Sequence, residues 1–220
     1  LVSPAWVEAA QQRWREWESA NRRPYLGLDV AGTGADLSVL GRLEDGKRGI
    51  VRYQQVWSIQ KNDTTILVSR VRQTCAEGVL PQSIAVDITG VGMGAGDELS
   101  DRPPARTVGA AKPIRTKVIK FSAGSRADDP ERFPNRRSEV AWRVRQLFER
   151  GEIAIDPHDD RLAEELSSLR WSSSATGKHT FVLERKDIYR ERMGRSPDRY
   201  DALSYAVAAR ADGSSTVAWA

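Results

Sequence analysis

Tyr25-Leu26-Gly27-Leu28-Asp29-Val30 and Ser83-Ile84-Ala85-Val86-Asp87-Ile88 are two short, almost wholly apolar stretches, each with a single aspartate near its end. Apolar runs of this length without polar alternation read as strands of a sheet covered on both faces. A carboxylate at the end of such a strand is costly to bury unless something cationic meets it. Two more acids, Asp198 and Asp201, open the late apolar run Ala202-Leu203-Ser204-Tyr205-Ala206-Val207. If the two strands are neighbours and the late helix packs across them, the acids converge on one point. Converging carboxylates repel one another, and a bound divalent cation relieves that repulsion.

The bulk composition suits an enzyme that handles a polyanion. At 220 residues and 40% hydrophobic, the chain can bury one sizeable α/β core and has little room for a second domain. Its formal net charge is only +4. The distribution says more: Arg102 to Arg145 holds twelve Lys or Arg and four acids, which leaves the remainder net acidic. The single cysteine, Cys75, excludes an intramolecular disulfide, and with only His158 and His179 there is no Cys/His set for structural zinc. Any metal here is therefore expected to be hard and oxygen-bound. No run has the apolar length of a membrane span, and there is no signal-peptide pattern. A start at Leu1 rather than Met suggests a piece of a longer protein.

Ser3 as N-cap and Pro4 at the first helical position open a helix. Trp6, Ala10, Trp14 and Trp17 continue it at helical spacing until Asn21-Arg22-Arg23-Pro24 ends it. We expect this helix, in a linker segment 1–23, to pack on the body or on a neighbouring domain rather than to serve as an aromatic nucleic-acid platform. Asp36 to Leu43 and Gly49 to Ile59 read as strands joined in a hairpin at Asp45-Gly46. Asp63 caps a helix through Cys75 that stops at Gly78, before the Asp87 strand. A Lys117-Val118-Ile119-Lys120-Phe121 strand, a helix from Asn135 to Arg150 ended by Gly151, and a helix from Pro157 to Leu169 follow. A strand from Phe181 to Glu184 then precedes a last helix capped by Ser196 with Pro197 at its first position. Residues 211–220 read as a disordered tail. A hairpin and third strand, then a helix, a parallel strand and further helices make a ribonuclease H-like α/β fold with a mixed sheet, in a single domain over 24–210.

Asp29-Val30-Ala31-Gly32-Thr33-Gly34 leads from a strand into another strand, so it lacks the helix N-terminus that phosphate loops use and reads as a turn. Gly90, Gly92, Gly94 and Gly96 match neither a dinucleotide fingerprint nor a Walker A loop. They suit close approach of a nucleic-acid backbone or a flexible strand-to-helix turn equally.

Four motifs in order resemble the C-terminal nuclease domain of tailed-bacteriophage large terminases. The stretch Tyr25 to Asp36 looks like its first acidic motif and Asp87-Ile88-Thr89-Gly90-Val91-Gly92 its second. Phe133-Pro134-Asn135-Arg136-Arg137 looks like its central basic motif, and Ser196-Pro197-Asp198-Arg199-Tyr200-Asp201-Ala202-Leu203 its last. The resemblance spans about Pro24 to Arg210. It implies an endonuclease that cuts concatemeric viral DNA during genome packaging with two Mg²⁺ or Mn²⁺ ions, in the host cytoplasm at the procapsid portal. It also implies double-stranded DNA, a terminase ATPase domain absent from this chain, the small terminase and the portal protein as partners, with the isolated domain monomeric.

Two-metal hydrolysis uses ions roughly 3.5–4 Å apart on either side of the reacting phosphate. Asp29, on the central strand, is the candidate bridging ligand, with Asp87 holding one ion and Asp198 or Asp201 the other. Asp36 supports the site or ligates directly. Asp198 lies in the first helical turn, where the helix dipole alone favours an acid, whereas Asp201 lies beyond that turn and needs a partner. Lys112, Arg115, Lys117, Lys120, Arg136 and Arg137 are candidates for phosphate contacts, with Lys186, Arg190 and Arg195 at the rim. His179 is a candidate proton-transfer group or a structural histidine. Two other readings stay open: a Holliday-junction resolvase-like nuclease, and a non-catalytic DNA-clamping packaging module with structural acids. A sugar-kinase phosphate loop is disfavoured, because that fold needs two such domains.

Overall fold

The computed structural model describes residues 1–32, 36–60, 63–107, 112–173 and 181–213. Its strands are β1 (Tyr25–Asp29), β2 (Ser38–Asp45), β3 (Val51–Ile59), β4 (Ser83–Asp87), β5 (Ala105–Arg106), β6 (Ile114–Arg115), β7 (Lys117–Phe121), β8 (Ile153–Ile155), β9 (Trp171–Ser172) and β10 (Val182–Leu183). The α-helices are α1 (Pro4–Arg13), α2 (Thr64–Glu77), α3 (Gly92–Asp101), α4 (Arg136–Glu149), α5 (Asp160–Ser168), α6 (Lys186–Met193) and α7 (Asp198–Gly213). Six strands form one mixed sheet in the order β7-β4-β1-β2-β3-β8, with two small ribbons, β5-β6 and β9-β10, beside it. This is the ribonuclease H-like arrangement expected from the sequence.

β1 runs antiparallel to β2 and parallel to β4, with Leu28 opposite Val86. Asp29 and Asp87 therefore end neighbouring strands at the same edge of the sheet, about 4.8 Å apart along the pairing direction. Side chains alternate across a strand, so each strand has two chemical faces. Leu26, Leu28, Ile84 and Val86 join Leu67, Val68, Val71 and Leu99 in a core under α2 and α3. On the opposite face the same strands carry Gly27, Ser83 and Ala85, which are small. α7 lies on that face, with its own Ala202 and Ala206 against the sheet: a Cβ on Gly27 would stand 2.1 Å from the Ala202 carbonyl oxygen and 2.3 Å from the Ala206 nitrogen. The Ser83 hydroxyl donates to the Ala209 carbonyl at 2.7 Å and fixes the far end of the helix. Because Asp29 and Asp87 share this face, the seat of α7 is what brings its first turn onto them.

The N-terminal helix starts as expected, with Ser3 Oγ accepting from the Trp6 backbone N–H, but ends at Arg13. A single 3₁₀ turn, Trp14–Glu16, follows, and Trp17 is extended. The Trp17 indole donates to the Ile50 carbonyl at 3.0 Å, and Arg52 stacks over both Trp14 and Trp17, so these aromatics serve packing. α1 contacts β8, α4 and α5 and contributes Val7 and Ala10 to their core, making it part of the same body.

α2 and α4 have their expected caps, Asp63 and Asn135. α5 begins later than Pro157 because Asp159 caps it through the Leu162 N–H. The hairpin closes over residues 46–50, a longer connection than a two-residue turn, with Arg48 and Gly49 at positive φ. The strand expected at Phe181 to Glu184 shrinks to β10 and pairs with β9 outside the main sheet. α7 runs through Gly213, so residues 211–213 of the expected tail are helical; residues 214–220 and His179 lie outside the described residues. Among the described residues, no helix is long and apolar enough to cross a membrane.

Candidate metal centre

Asp29 is 4% exposed, Asp87 6%, Asp198 3% and Asp201 1%, so four carboxylates are buried at one edge of the sheet. Burial pushes the Asp29 carboxyl well above the ordinary range; Lys186 opposes that push, while Asp201, Asp198 and Asp87 add to it. Lys186, the first residue of α6, reaches into the group. Its Nζ is 2.8 Å from Asp201 Oδ2 and 3.9 Å from Asp29 Oδ1. The shorter contact is a buried ion pair, so the Lys186 ammonium is the partner of Asp201 Oδ2 and is shared with Asp29. Burial works against the ammonium, but Asp201, Asp29 and Asp87 outweigh it and raise its pKa above the ordinary lysine value.

Asp87 is held differently. Its Oδ1 accepts from the Thr89 backbone N–H and its Oδ2 from the Tyr205 hydroxyl, both at 3.0 Å. Asp198 Oδ2 accepts from the Leu37 backbone N–H at 2.9 Å and lies 3.4 Å from Arg161. Burial raises the Asp198 pKa to about 6, the Leu37 hydrogen bond opposes this, and Asp36 and Asp201 add to it. Arg161 also pairs with Glu165, which is fully buried and whose Oε2 caps the Tyr200 N–H at the start of α7. Asp36 pairs with Arg190, which also donates to Ser196. Asp198 and Asp201 both fall in the first turn of α7. The helix dipole thus favours both, contrary to expectation, and what separates them is their partners among the described residues: Asp198 is anchored by a main-chain donor and an arginine, Asp201 by Lys186.

Among the described residues, no three acids, histidines or cysteines stand as a ready-made metal shell. The donor chemistry nevertheless suits a hard divalent ion: oxygen-only ligands, mutual repulsion among them, and two buried carboxylates, Asp201 and Asp29, that share one ammonium.

The expected phosphate contacts are only partly brought to this edge. β7 runs parallel to β4 with Lys117 opposite Ser83 and Lys120 opposite Val86. Lys117, with Lys112 and Arg115 before it, therefore lies towards the opposite end of the sheet from the acids. Lys117 donates to the Asp212 carbonyl, Lys120 pairs with Asp97, and Arg136 pairs with Asp128 and Asp212. Arg195 pairs with Glu164. Arg137 donates to the Glu184 carbonyl at 2.6 Å, while its Nε and Nη2 are buried without a partner. It lines a cleft of about 330 Å³ with Asp87, Thr89, Asn135, Arg185 and Lys186.

The glycines after Asp87 have a packing role. Gly92 opens α3 where a Cβ would stand 1.9 Å from the Asp87 carbonyl oxygen, and a Cβ on Gly96 would press on Ile88. Gly90, at φ +61°, makes the turn. Thr33, Gly34 and Ala35 of the first motif lie outside the described residues. Tyr205, Thr89, Arg161 and Glu165 were not anticipated; their only sequence signal was nearness to an acidic motif, which Thr89 and Tyr205 have.

No protein-family model matches the sequence and no curated protein matches it. Solved structures do. The nuclease domain of the large terminase subunit gp2 of bacterial virus Sf6 superposes with TM-score 0.69 at 16% identity, over 94% of this chain and 97% of that one. The large terminase nuclease of thermophilic phage G20c with bound magnesium gives 0.57 at 15% identity, over 87% and 84%. The HK97 bacteriophage large terminase gives 0.59 at 14% identity, over 94% of this chain and 42% of that one. The chain thus shares the fold of large terminase nuclease domains.

Proposed function

We propose that this chain is a divalent-metal-dependent endonuclease that cuts concatemeric viral DNA during genome packaging, with Asp29, Asp87 and Asp201 as ligands for two Mg²⁺ or Mn²⁺ ions. The observation that carries the reading is the convergence of buried carboxylates on Asp29, with Asp201, Asp198 and Asp87 around it and a single lysine ammonium, Lys186, paired to both Asp201 and Asp29. A buried carboxylate in a structural role takes a partner of its own; here Asp201 and Asp29 share one ammonium. When bound, such ions supply Lewis-acid polarisation of a phosphodiester and acidify water for attack.

The chain's own residues hold and aim the rest. Asp29, between the other two acids, is the candidate shared ligand. Asp198 and Asp36 support it, Asp198 by tying Leu37 to the helix and Asp36 through Arg190. Lys186 offsets part of the repulsion among the acids in the unloaded site, and its flexible stem would let it move aside for ions. The cleft lined by Asn135, Arg137, Arg185 and Lys186 offers donors to a phosphate next to Asp87. Double-stranded DNA is the substrate on this reading, and an ATPase domain, the small terminase and the portal are its partners in the host cytoplasm, with the isolated domain a monomer. Lys112, Arg115 and Lys117 stand too far along the sheet for the same phosphates and act, if on DNA, on a flanking stretch.

One observation favours a second reading: Asp29 and Asp201 already have a cationic partner in Lys186, as a DNA-clamping module with structural acids requires. Supercoiled plasmid incubated with the chain decides between them. Nicked and linear products are expected with Mg²⁺ or Mn²⁺ and none with EDTA, and Asp29→Asn should abolish them while leaving the fold intact. Failure of the wild-type chain to cut with either ion would leave the clamping reading, and undiminished cutting by Asp29→Asn would overturn the ligand assignment.

A further inference from the structure

Tyr205 is 2% exposed, and its hydroxyl is the one polar group on an otherwise apolar ring packed 5.0 Å, centroid to centroid, from Phe121. A phenylalanine would fill the same volume. A buried hydroxyl costs free energy unless it is bonded, and this one donates to Asp87 Oδ2 at 3.0 Å. Together with the Thr89 N–H on Oδ1, it pins both oxygens of Asp87 from two different elements, the turn after β4 and helix α7. The carboxylate plane is then fixed about its Cβ–Cγ bond, with lone pairs on each oxygen left for another partner.

The position on α7 gives the contact a second consequence. Tyr205 lies four residues after Asp201, one helical turn along the same face. A single rigid helix therefore carries one acid of the site and the donor that aims another. The separation of Asp87 from Asp201 is set by the pitch of α7 as well as by the sheet.

We propose that Tyr205 is a positioning residue that aims the Asp87 carboxylate at the metal centre and, by tying it to α7, tunes the site to small ions of strict octahedral geometry. The inference rests on the metal-dependent reading above. Partners that orient metal ligands are typically worth about 10- to 100-fold in metal affinity. Mg²⁺ demands near-ideal octahedral geometry, so a loosened Asp87 should penalise it more than Mn²⁺.

The test is calorimetric titration of the metal-free protein with Mg²⁺ and with Mn²⁺, for the wild type and Tyr205→Phe. The variant is expected to bind Mg²⁺ roughly 10- to 100-fold more weakly with a smaller loss for Mn²⁺. An affinity ratio between the two ions equal to that of the wild type would overturn the proposal, and a uniform loss of stability does not move that ratio. Metal-free crystals of both proteins separate this inference from the reading beneath it. If the wild type binds neither ion, the metal reading fails, and the Asp87 carboxylate in the variant still reports on positioning. Rotated or split between two conformers, it supports the role; unmoved, it removes it.

Discussion

Gly27→Ala adds one methyl group to the middle of β1, well away from the reacting groups, and should disable the site through α7. The new Cβ would stand 2.1 Å from the Ala202 oxygen, 2.3 Å from the Ala206 nitrogen and 2.9 Å from the Tyr205 carbonyl carbon. All three are main-chain atoms of a helix, so no side chain can rotate away. Relieving the contacts requires α7 to retreat by about 1 Å or more. Overpacking of this kind costs about 1–3 kcal/mol, which for a domain of this size lowers the melting temperature by roughly 2–12 °C. The chain stays folded at room temperature. The retreat, however, carries Asp201 away from Asp29 and the Tyr205 hydroxyl away from Asp87, and a misplacement of about 1 Å costs on the order of 100-fold in rate. Differential scanning fluorimetry and plasmid cleavage with Mg²⁺, run on the same preparation below the melting transition, measure both quantities. A folded variant that cuts at the wild-type rate would refute the claim that the seat of α7 sets the acid constellation. An unchanged melting temperature would refute the packing itself.

The two acids at the start of α7 should separate. Asp201→Asn is expected to abolish Mg²⁺-supported cutting, whereas Asp198→Asn, which loosens the Leu37 and Arg161 contacts, should keep measurable activity with Mn²⁺; the opposite pattern would make Asp198 the ligand. Glu165 gives a pH signature: burial holds its carboxyl up to about 7, above the ordinary value of 4.5, against the Tyr200 N–H and Arg161. Its folded pKa is raised, so the stability it contributes is complete below about pH 4.5 and lost as pH rises through about 7, a change on the order of 3 kcal/mol. The metal-free protein should therefore lose stability between about pH 4.5 and about pH 7 by denaturant titration, and Glu165→Gln should flatten that loss; an equal slope in the variant would show that Glu165 is not its source.

The acids were legible because each is anomalous where it stands. Asp29 and Asp87 close strands with no polar alternation, and the parallel pairing of those strands follows from a helix between them. The small residues Gly27, Ser83 and Ala85 were equally visible but carried no meaning until the helix that lies on them was known. α3 was hidden by three glycines in its first five residues, which depress helix propensity locally and are tolerated because two of them let the helix press on the end of β4 at Asp87 and on Ile88 just after it. α6 was hidden for the opposite reason: Lys186-Asp187-Ile188-Tyr189-Arg190-Glu191-Arg192-Met193 is polar nearly all round, with Tyr189 its one buried residue, so it has no apolar stripe to read.

The basic residues failed as a guide for a reason of geometry. A charge run has no direction, and β7 carries its lysines from one end of the sheet to the other, so that neighbours in sequence serve different ends of the molecule. Lys186 appeared in the sequence as one more candidate for DNA, and the structure gives it a prior attachment to Asp29 and Asp201. The difference between the two charge types is physical. A short aspartate stem on a strand end fixes the carboxylate to within a few ångströms of its backbone, so its cost of burial is already written in the local sequence. A lysine ammonium rides four carbons from its Cα and pays little wherever water or an acid can reach it, so only the fold decides what it meets. On the proposed reading, the same freedom that made Lys186 unreadable is what would suit it to guard the acids and to leave them for a divalent ion.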